Sequence, residues 1–279
     1  MKKKKVKSKP PEGIESKFVD LLDMDNPTII TLYGKPGTGK TTIASSLPKP
    51  MLLIDVKDKG GDSAKSKTLK RGEITVLQIE KFDDIYKAYD YIKANPSRFK
   101  SIIIDHMTSL QDQALEQVKS DEGKEQVSQR MYGIAAGYLK EVIVLYKDLT
   151  DEGIVPCFLV QDRTESGEGE GEDQLMPEVG PGIMPSLSRT LCASSRVIGH
   201  TYLQERVEKT GDMKVHRSIE YRLRLGPNPF YITKVTRPQQ TPCPAYVVNA
   251  TYQDIVSIIK GEWKEPVVET KKKKKKQRV

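Results

Sequence analysis

The chain has 279 residues and a mass of 31.4 kDa, the size of one large α/β domain or of a domain with a modest appendage. Apolar residues make up 37% and charged residues 30%, which sustains a core and excludes global disorder. No run approaches the roughly 18 apolar residues of a membrane span, and no hydrophobic stretch follows the opening MKKKKVKSKP, so neither an anchor nor a secretory signal is expected.

Three widely separated cysteines (Cys157, Cys192, Cys243) and three histidines (His106, His200, His216) offer neither a disulfide framework nor metal-ligand spacing. A protein of a reducing compartment, the cytoplasm, is expected. The chain carries 46 basic and 38 acidic residues, but residues 1–11 hold six lysines and 271–279 six lysines and an arginine, with no acid in either. The body, 12–270, is left with 33 basic against 38 acidic residues. An acidic body thus stands between two basic tails, 1–15 and 266–279, which are expected to be disordered. Nucleic-acid tethers, solubility-driven low complexity and a nuclear import signal all remain open for them.

Pro27–Tyr33 reads as the first strand, followed by a glycine loop and a helix near Lys40–Leu47. Met51–Asp55 is a second buried strand and Ile74–Ile79 a shorter third. Phe82, Ile85, Tyr86, Tyr89 and Ile92 recur at helical spacing until Pro96. Ser101–Asp105 is another strand, Val127–Leu149 a long helix, and Ile154–Gln161 the next strand. Asp162–Gly182, with ESGEGEGED inside it, loses periodicity and reads as a mobile loop. Arg196–Leu203 and Ser218–Leu225 read as strands, Pro229–Val235 as a hairpin partner of the latter, and Tyr252–Lys260 as a last helix. Strands alternating with helices predict an α/β fold with a mostly parallel sheet covered by helices, in one domain over 16–265.

Gly34-Lys35-Pro36-Gly37-Thr38-Gly39-Lys40-Thr41 matches G-x-x-x-x-G-K-[ST] at every fixed position. The glycines admit backbone conformations closed to other residues, so successive N–H groups can face phosphate oxygens. The following helix start adds its positive dipole end. Lys40 brings a full charge to the β/γ-phosphates, the Thr41 hydroxyl can ligate Mg²⁺, and Thr42 continues the nucleotide-binding run. A strand precedes this loop, and a second strand ends in Asp105, placed to hold the same magnesium directly or through a water. ATP and Mg²⁺ are the expected cofactors.

Remodelling ATPases of the AAA+ kind place a glutamate directly after that aspartate; here the neighbour is His106. Small-molecule kinases carry an arginine-rich lid, whereas Asp162–Gly182 holds Arg163 against many acids, which makes a kinase the less favoured reading. Aromatic content is only 6%, so a broad base-stacking platform is not expected, and Tyr132 and Tyr138 fit helix packing.

The sequence resembles the RecA-type ATPase core, and specifically the compact phage-encoded recombinases of the Sak type. The resemblance rests on LYGKPGTGKTTIASSLPKPMLLID, SIIIDHMTSL, MYG with its helix, FLVQD, PGIMPSLSRTLCASSRVIG and FYITKVTRP. It implies a RecA-like fold and a homo-oligomer that hydrolyses ATP and acts on single-stranded DNA in recombination or annealing, in the cytoplasm of a bacterial host. Single-strand-binding or replication proteins are implied as further partners. In that pattern Gln161 senses the γ-phosphate and couples it to a DNA-contacting loop, 162–182. Lys234 and Arg237 match basic residues that reach a neighbouring subunit's nucleotide.

Two departures stand out. Where the family has a water-activating glutamate past the second strand, this chain reads Ile54-Asp55-Val56-Lys57-Asp58. Asp58 could substitute, and Asp55 less readily; a lysine cannot act as base without a deeply lowered pKa. The acids of the loop would also repel a phosphate backbone. A nucleotide-dependent switch or loader with little turnover therefore stands as the alternative.

Overall fold

The computed structural model describes residues 18, 20, 27–57, 60–165, 177–209 and 215–265. Both expected tails lie outside these, as do Asp58 and residues 166–176 at the centre of the expected loop.

In chain order the strands are β1 (Ile30–Gly34), β2 (Met51–Val56), β3 (Ile74–Ile79), β4 (Ser101–Asp105), β5 (Val155–Val160), β6 (Asp162–Glu165), β7 (Glu178–Pro181), β8 (Val197–Lys209), β9 (Val215–Arg224), β10 (Lys234–Val235) and β11 (Tyr246–Val248). The α-helices are α1 (Lys40–Ala44), α2 (Asp84–Ala94), α3 (Met107–Asp121), α4 (Gln129–Asp148), α5 (Pro185–Ser194) and α6 (Tyr252–Lys260). One sheet runs β11-β9-β8-β1-β5-β4-β2-β3, with β10 also on β8. From β8 to β3 every pairing is parallel, while β9, β10 and β11 join antiparallel.

The fold is α/β, a mostly parallel sheet flanked by helices. β1 and β2 are buried at every position because both sheet faces are covered, which is why they read as continuous apolar runs. One face packs against α2, α3, α4 and α5 through residues such as Ile104, Phe158, Leu110, Leu139 and Leu187. The other packs against α1 and α6 through Leu32, Leu53, Ile43, Ile255 and Ile258. Tyr146 of α4 is buried and donates its hydroxyl to the Ile85 carbonyl of α2 at 2.9 Å. No helix among the described residues is long and apolar enough to cross a membrane.

Three elements differ from expectation. α3 was not anticipated: its stripe of Met107, Leu110, Ala114 and Val118 is narrow and diluted by SLQDQ and EQ, yet a covered sheet face buries it completely. β6 and β7 form an antiparallel hairpin where an aperiodic loop was expected. β6 reads Asp-Arg-Thr-Glu and β7 Glu-Val-Gly-Pro, neither with an apolar alternation, so only backbone pairing reveals them. Pro229–Val235 does not pair with β9. β9 takes β8 and β11 as neighbours, and Lys234–Val235 instead pairs with Val197–Ile198, the part of β8 that β9 does not reach. Tyr138 stacks on Phe82 with ring centroids 6.1 Å apart, as expected of helix packing, whereas Tyr132 stays exposed on α4.

Leu139 is fully buried in α4, while Val144 on the same helix is exposed. Leu139→Ala should cost about 3 kcal/mol in urea denaturation, and Val144→Ala about 0.5 kcal/mol or less.

Candidate functional site

The carboxyl ends of β1, β5 and β4 lie side by side, because β5 inserts between two strands that precede it in the chain. Tyr33 is level with Val160, and Leu159 with Asp105, so the glycine loop, Gln161 and Asp105 emerge along one edge. Ligands of open α/β sheets bind at such an edge.

Gly34 ends β1 with φ 152°, and its Cα lies against Thr201 of β8, where a Cβ would collide with the threonine's carbonyl and hydroxyl oxygens. The Thr38 hydroxyl lies 2.7 Å from that of Thr201 and donates to the Lys35 carbonyl, also at 2.7 Å. These bonds shape the Gly34–Thr41 loop before any ligand enters. The Lys40 ammonium donates to the carbonyls of Gly34 (2.6 Å) and Lys35 (2.9 Å), which hold it over the loop. Burial pushes its pKa down, opposed by the charges of Asp105 and Asp162.

The Thr41 hydroxyl donates to Asp105 Oδ2 at 2.9 Å. Burial raises the Asp105 carboxyl, while the Thr41 bond, His106 and Lys40 act against it. A hydroxyl and a carboxylate oxygen, with no nitrogen or sulfur donor between them, suit a hard divalent cation such as magnesium. His106 accepts a hydrogen bond from the Ser109 amide through Nδ1 (3.3 Å) and so caps α3. Next to Asp105 the side chain starts a helix, which accounts for a histidine where the remodelling ATPases have an acid.

Gln161 follows β5 directly. Its amide donates to the Thr108 hydroxyl at 3.5 Å and its carbonyl accepts from Gly182 at 2.7 Å, so its backbone ties α3 to the end of the β6–β7 hairpin. Asp55 is 3% exposed and level with Asp105 on the adjacent strand. Lys57 is exposed at φ 67°, and Asp58, the expected substitute base, lies outside the described residues. Lys234 donates to the Cys192 and Ala193 carbonyls (3.2 and 3.4 Å) at the end of α5. Arg237 is half-buried, with an Nε that lacks a hydrogen-bond partner. Lys234 pairs with Ile198, three strand positions before Thr201, so within one chain both basic residues sit about 10 Å or more along β8 from the loop.

Reading the sequence missed a second layer of the site. His200 of β8 is level with Tyr33 and only 5% exposed; it stacks on Tyr231 (4.4 Å) and Tyr202 (5.8 Å). The Arg224 guanidinium lies 3.9 Å from the Tyr231 ring centroid. Asp162 places Oδ2 3.9 Å from His200 Nε2, and the buried Nδ1 has no partner. Tyr33 donates to the Val179 carbonyl of β7 at 3.0 Å, which fastens the hairpin beside β1. A lone histidine in a strand carries no pattern, and only sheet order brings it next to Lys40.

Gly34→Ala should destabilise the fold by about 2 kcal/mol or more in chemical denaturation, because the left-handed backbone and the Thr201 contact both resist a side chain. The imidazole of His200 is pushed down to about 4, first by burial and then by Arg224, Lys40 and Lys35. A histidine held neutral in this way gives its full stabilisation above its ordinary pKa near 6.5. That contribution is lost as pH falls from there through about 4. Unfolding free energy should therefore fall across pH 6.5 to 4 more steeply in the native chain than in His200→Phe, by up to about 3 kcal/mol.

No curated protein matches the chain. Among solved structures, the KaiC-like protein PH0186 from the hyperthermophilic archaeon Pyrococcus horikoshii OT3 is similar, at 15% identity and a TM-score of 0.39 over 80% of this chain and 89% of that one. The family described as AAA domain matches residues 26–192, a span that holds the glycine loop, Lys40, Thr41, Asp105 and Gln161. That is well over half of the 279 residues, and the chain belongs to the AAA domain family.

Proposed function

We propose that the chain binds Mg·ATP and hydrolyses it as a RecA-like protein, a homo-oligomer acting on single-stranded DNA in phage recombination or annealing. The observation that carries the nucleotide reading is the Thr41–Asp105 hydrogen bond beside the Lys40 ammonium, on the tips of β1 and β4. The RecA-like part is supported by one strand between them, β5, which Gln161 follows directly before the antiparallel β6–β7 pair.

On this reading Lys40 leaves the Gly34 and Lys35 carbonyls for the β/γ-phosphates, and the loop amides take the remaining oxygens. Thr41 and Asp105 would hold the magnesium, which when bound neutralises charge on the phosphates. Gln161 would report the γ-phosphate to the β6–β7 hairpin through its bond to Gly182. Asp58 would orient the attacking water, with Asp55 as the weaker candidate. Lys234 and Arg237 would serve a neighbouring subunit's nucleotide, since within one chain they are far from the loop. The basic tails would supply the attraction for DNA that the acidic body lacks.

A second reading has its own observation. Lys57 stands exposed at the tip of β2, where the resembled family has its glutamate. A nucleotide switch or loader would bind ATP tightly, turn it over negligibly with or without DNA, and dock a replication protein.

ATP turnover with and without single-stranded DNA, alongside native mass measurement, separates the two. Stimulation by DNA in an assembled oligomer is expected for the first and absent for the second. Lys40→Ala should abolish ATP binding, read by titration calorimetry; micromolar affinity in that variant would refute the site.

A further inference from the structure

We propose that Tyr221 and Asn249 form a purine subsite for the nucleotide whose phosphates the glycine loop holds. The inference rests on the nucleotide reading above and deepens it. A cavity of about 350 Å³ opens beside the loop, within the roughly 300–1,000 Å³ of small-molecule sites. Gly39, Lys40, Thr41 and Thr42 line it together with Tyr221 and Asn249. Ile43 and Ala250, which also line it, belong to the core under α1 and α6, so the cavity lies on that side of the loop, and Asp105 is not among its lining residues. A triphosphate with its terminal phosphates at Lys40 and Thr41 therefore has its nucleoside end here.

Each wall residue is held in place. A Cβ on Gly39, whose φ is 91°, would lie 3.2 Å from the Tyr221 ring, so this glycine lets the ring close against the loop. Tyr221 pairs with Leu203 of β8, yet its side chain remains 46% exposed. An exposed aromatic ring resting on a phosphate loop offers a stacking face to a base. β11 stops pairing at Val248, opposite Arg222; Asn249 then turns out of the sheet at φ 50° and donates its amide to the Tyr221 carbonyl at 2.8 Å. Asn249 lines the cavity, and its side-chain amide offers both donors and an acceptor, which suit the edge of adenine or of guanine. Ala250, buried beside it, adds an apolar floor. The larger ring system of a purine covers more of Tyr221 than a pyrimidine does, so purine nucleotides are selected. Both Tyr221 and Asn249 lie outside the 26–192 segment that the family matches, so this wall is a property of this chain.

Calorimetry with MgATP, MgCTP and magnesium tripolyphosphate tests the subsite. The native chain should bind ATP about 5- to 150-fold more tightly than tripolyphosphate, the range of one base stacked on one aromatic ring. Tyr221→Ala should remove that advantage while leaving tripolyphosphate affinity unchanged, and Tyr221→Phe should keep it. Asn249→Ala should narrow the preference for ATP over CTP. An equal loss of tripolyphosphate binding in Tyr221→Ala, or unchanged ATP binding, would overturn the subsite. So would a native chain that binds tripolyphosphate as tightly as ATP, which leaves the phosphate site intact. If the native chain binds neither, the nucleotide reading fails and the subsite with it.

Discussion

One 2.9 Å hydrogen bond, from Thr41 to Asp105, joins two segments 64 residues apart in sequence. It exists because β4 and β1 point the same way and stand one strand apart in the sheet. A hydroxyl from the start of α1 and a carboxylate from the end of β4 could not otherwise share a site. Everything else at this edge is arranged around that constraint. The loop curls so that Lys40 reaches back over its own carbonyls, and Thr201 braces it from the neighbouring strand through Thr38 and against Gly34.

Charge at the edge is balanced by proximity more than by direct ion pairs. Lys40 and Asp105 are each half-buried, each pushed toward its neutral form, and each restrained by the other's charge. Asp162, next to Gln161, adds a second negative field at Lys40 and lies close to His200. His200 in turn is kept neutral by burial and by nearby cations. An anion entering the loop would thus meet an ammonium already stripped of much of its water, where electrostatic attraction is strongest. The hairpin that carries Asp162 is tied to the same place by Tyr33, by Gln161 and by the Ile232–Val179 backbone bond.

The site draws on both sheet faces. The β6–β7 pair packs through Val179 toward the face covered by α3, α4 and α5, while Asp105, which alternates with Ile104 and bonds Thr41, lies with Tyr221, Asn249 and Ala250 on the α1–α6 side. Phosphate chemistry and base contact can therefore be supplied by separate stretches of chain. The first belongs to the segment matched by the AAA domain family; the second comes from the later antiparallel strands.

The glycine loop and the buried strands were legible in the sequence because each is a local signal. Spacing alone defines Gly34–Thr41, and continuous apolar runs define β1, β2, β4 and β5. From these the mostly parallel α/β class follows, and so does the choice of Asp105 as partner of the loop. α3 escaped because its apolar stripe is too thin to stand out, and the β6–β7 pair because neither four-residue strand shows an apolar alternation. The pairing of Lys234–Val235 with β8, and the gathering of His200, Asp162, Tyr221 and Asn249 around the loop, depend on which strands become neighbours. Strand neighbours are chosen by burial of whole faces over distances of more than a hundred residues, and no window of sequence contains that information. Composition and spacing thus determined what kind of site this chain builds; the order of the sheet decided which residues surround it.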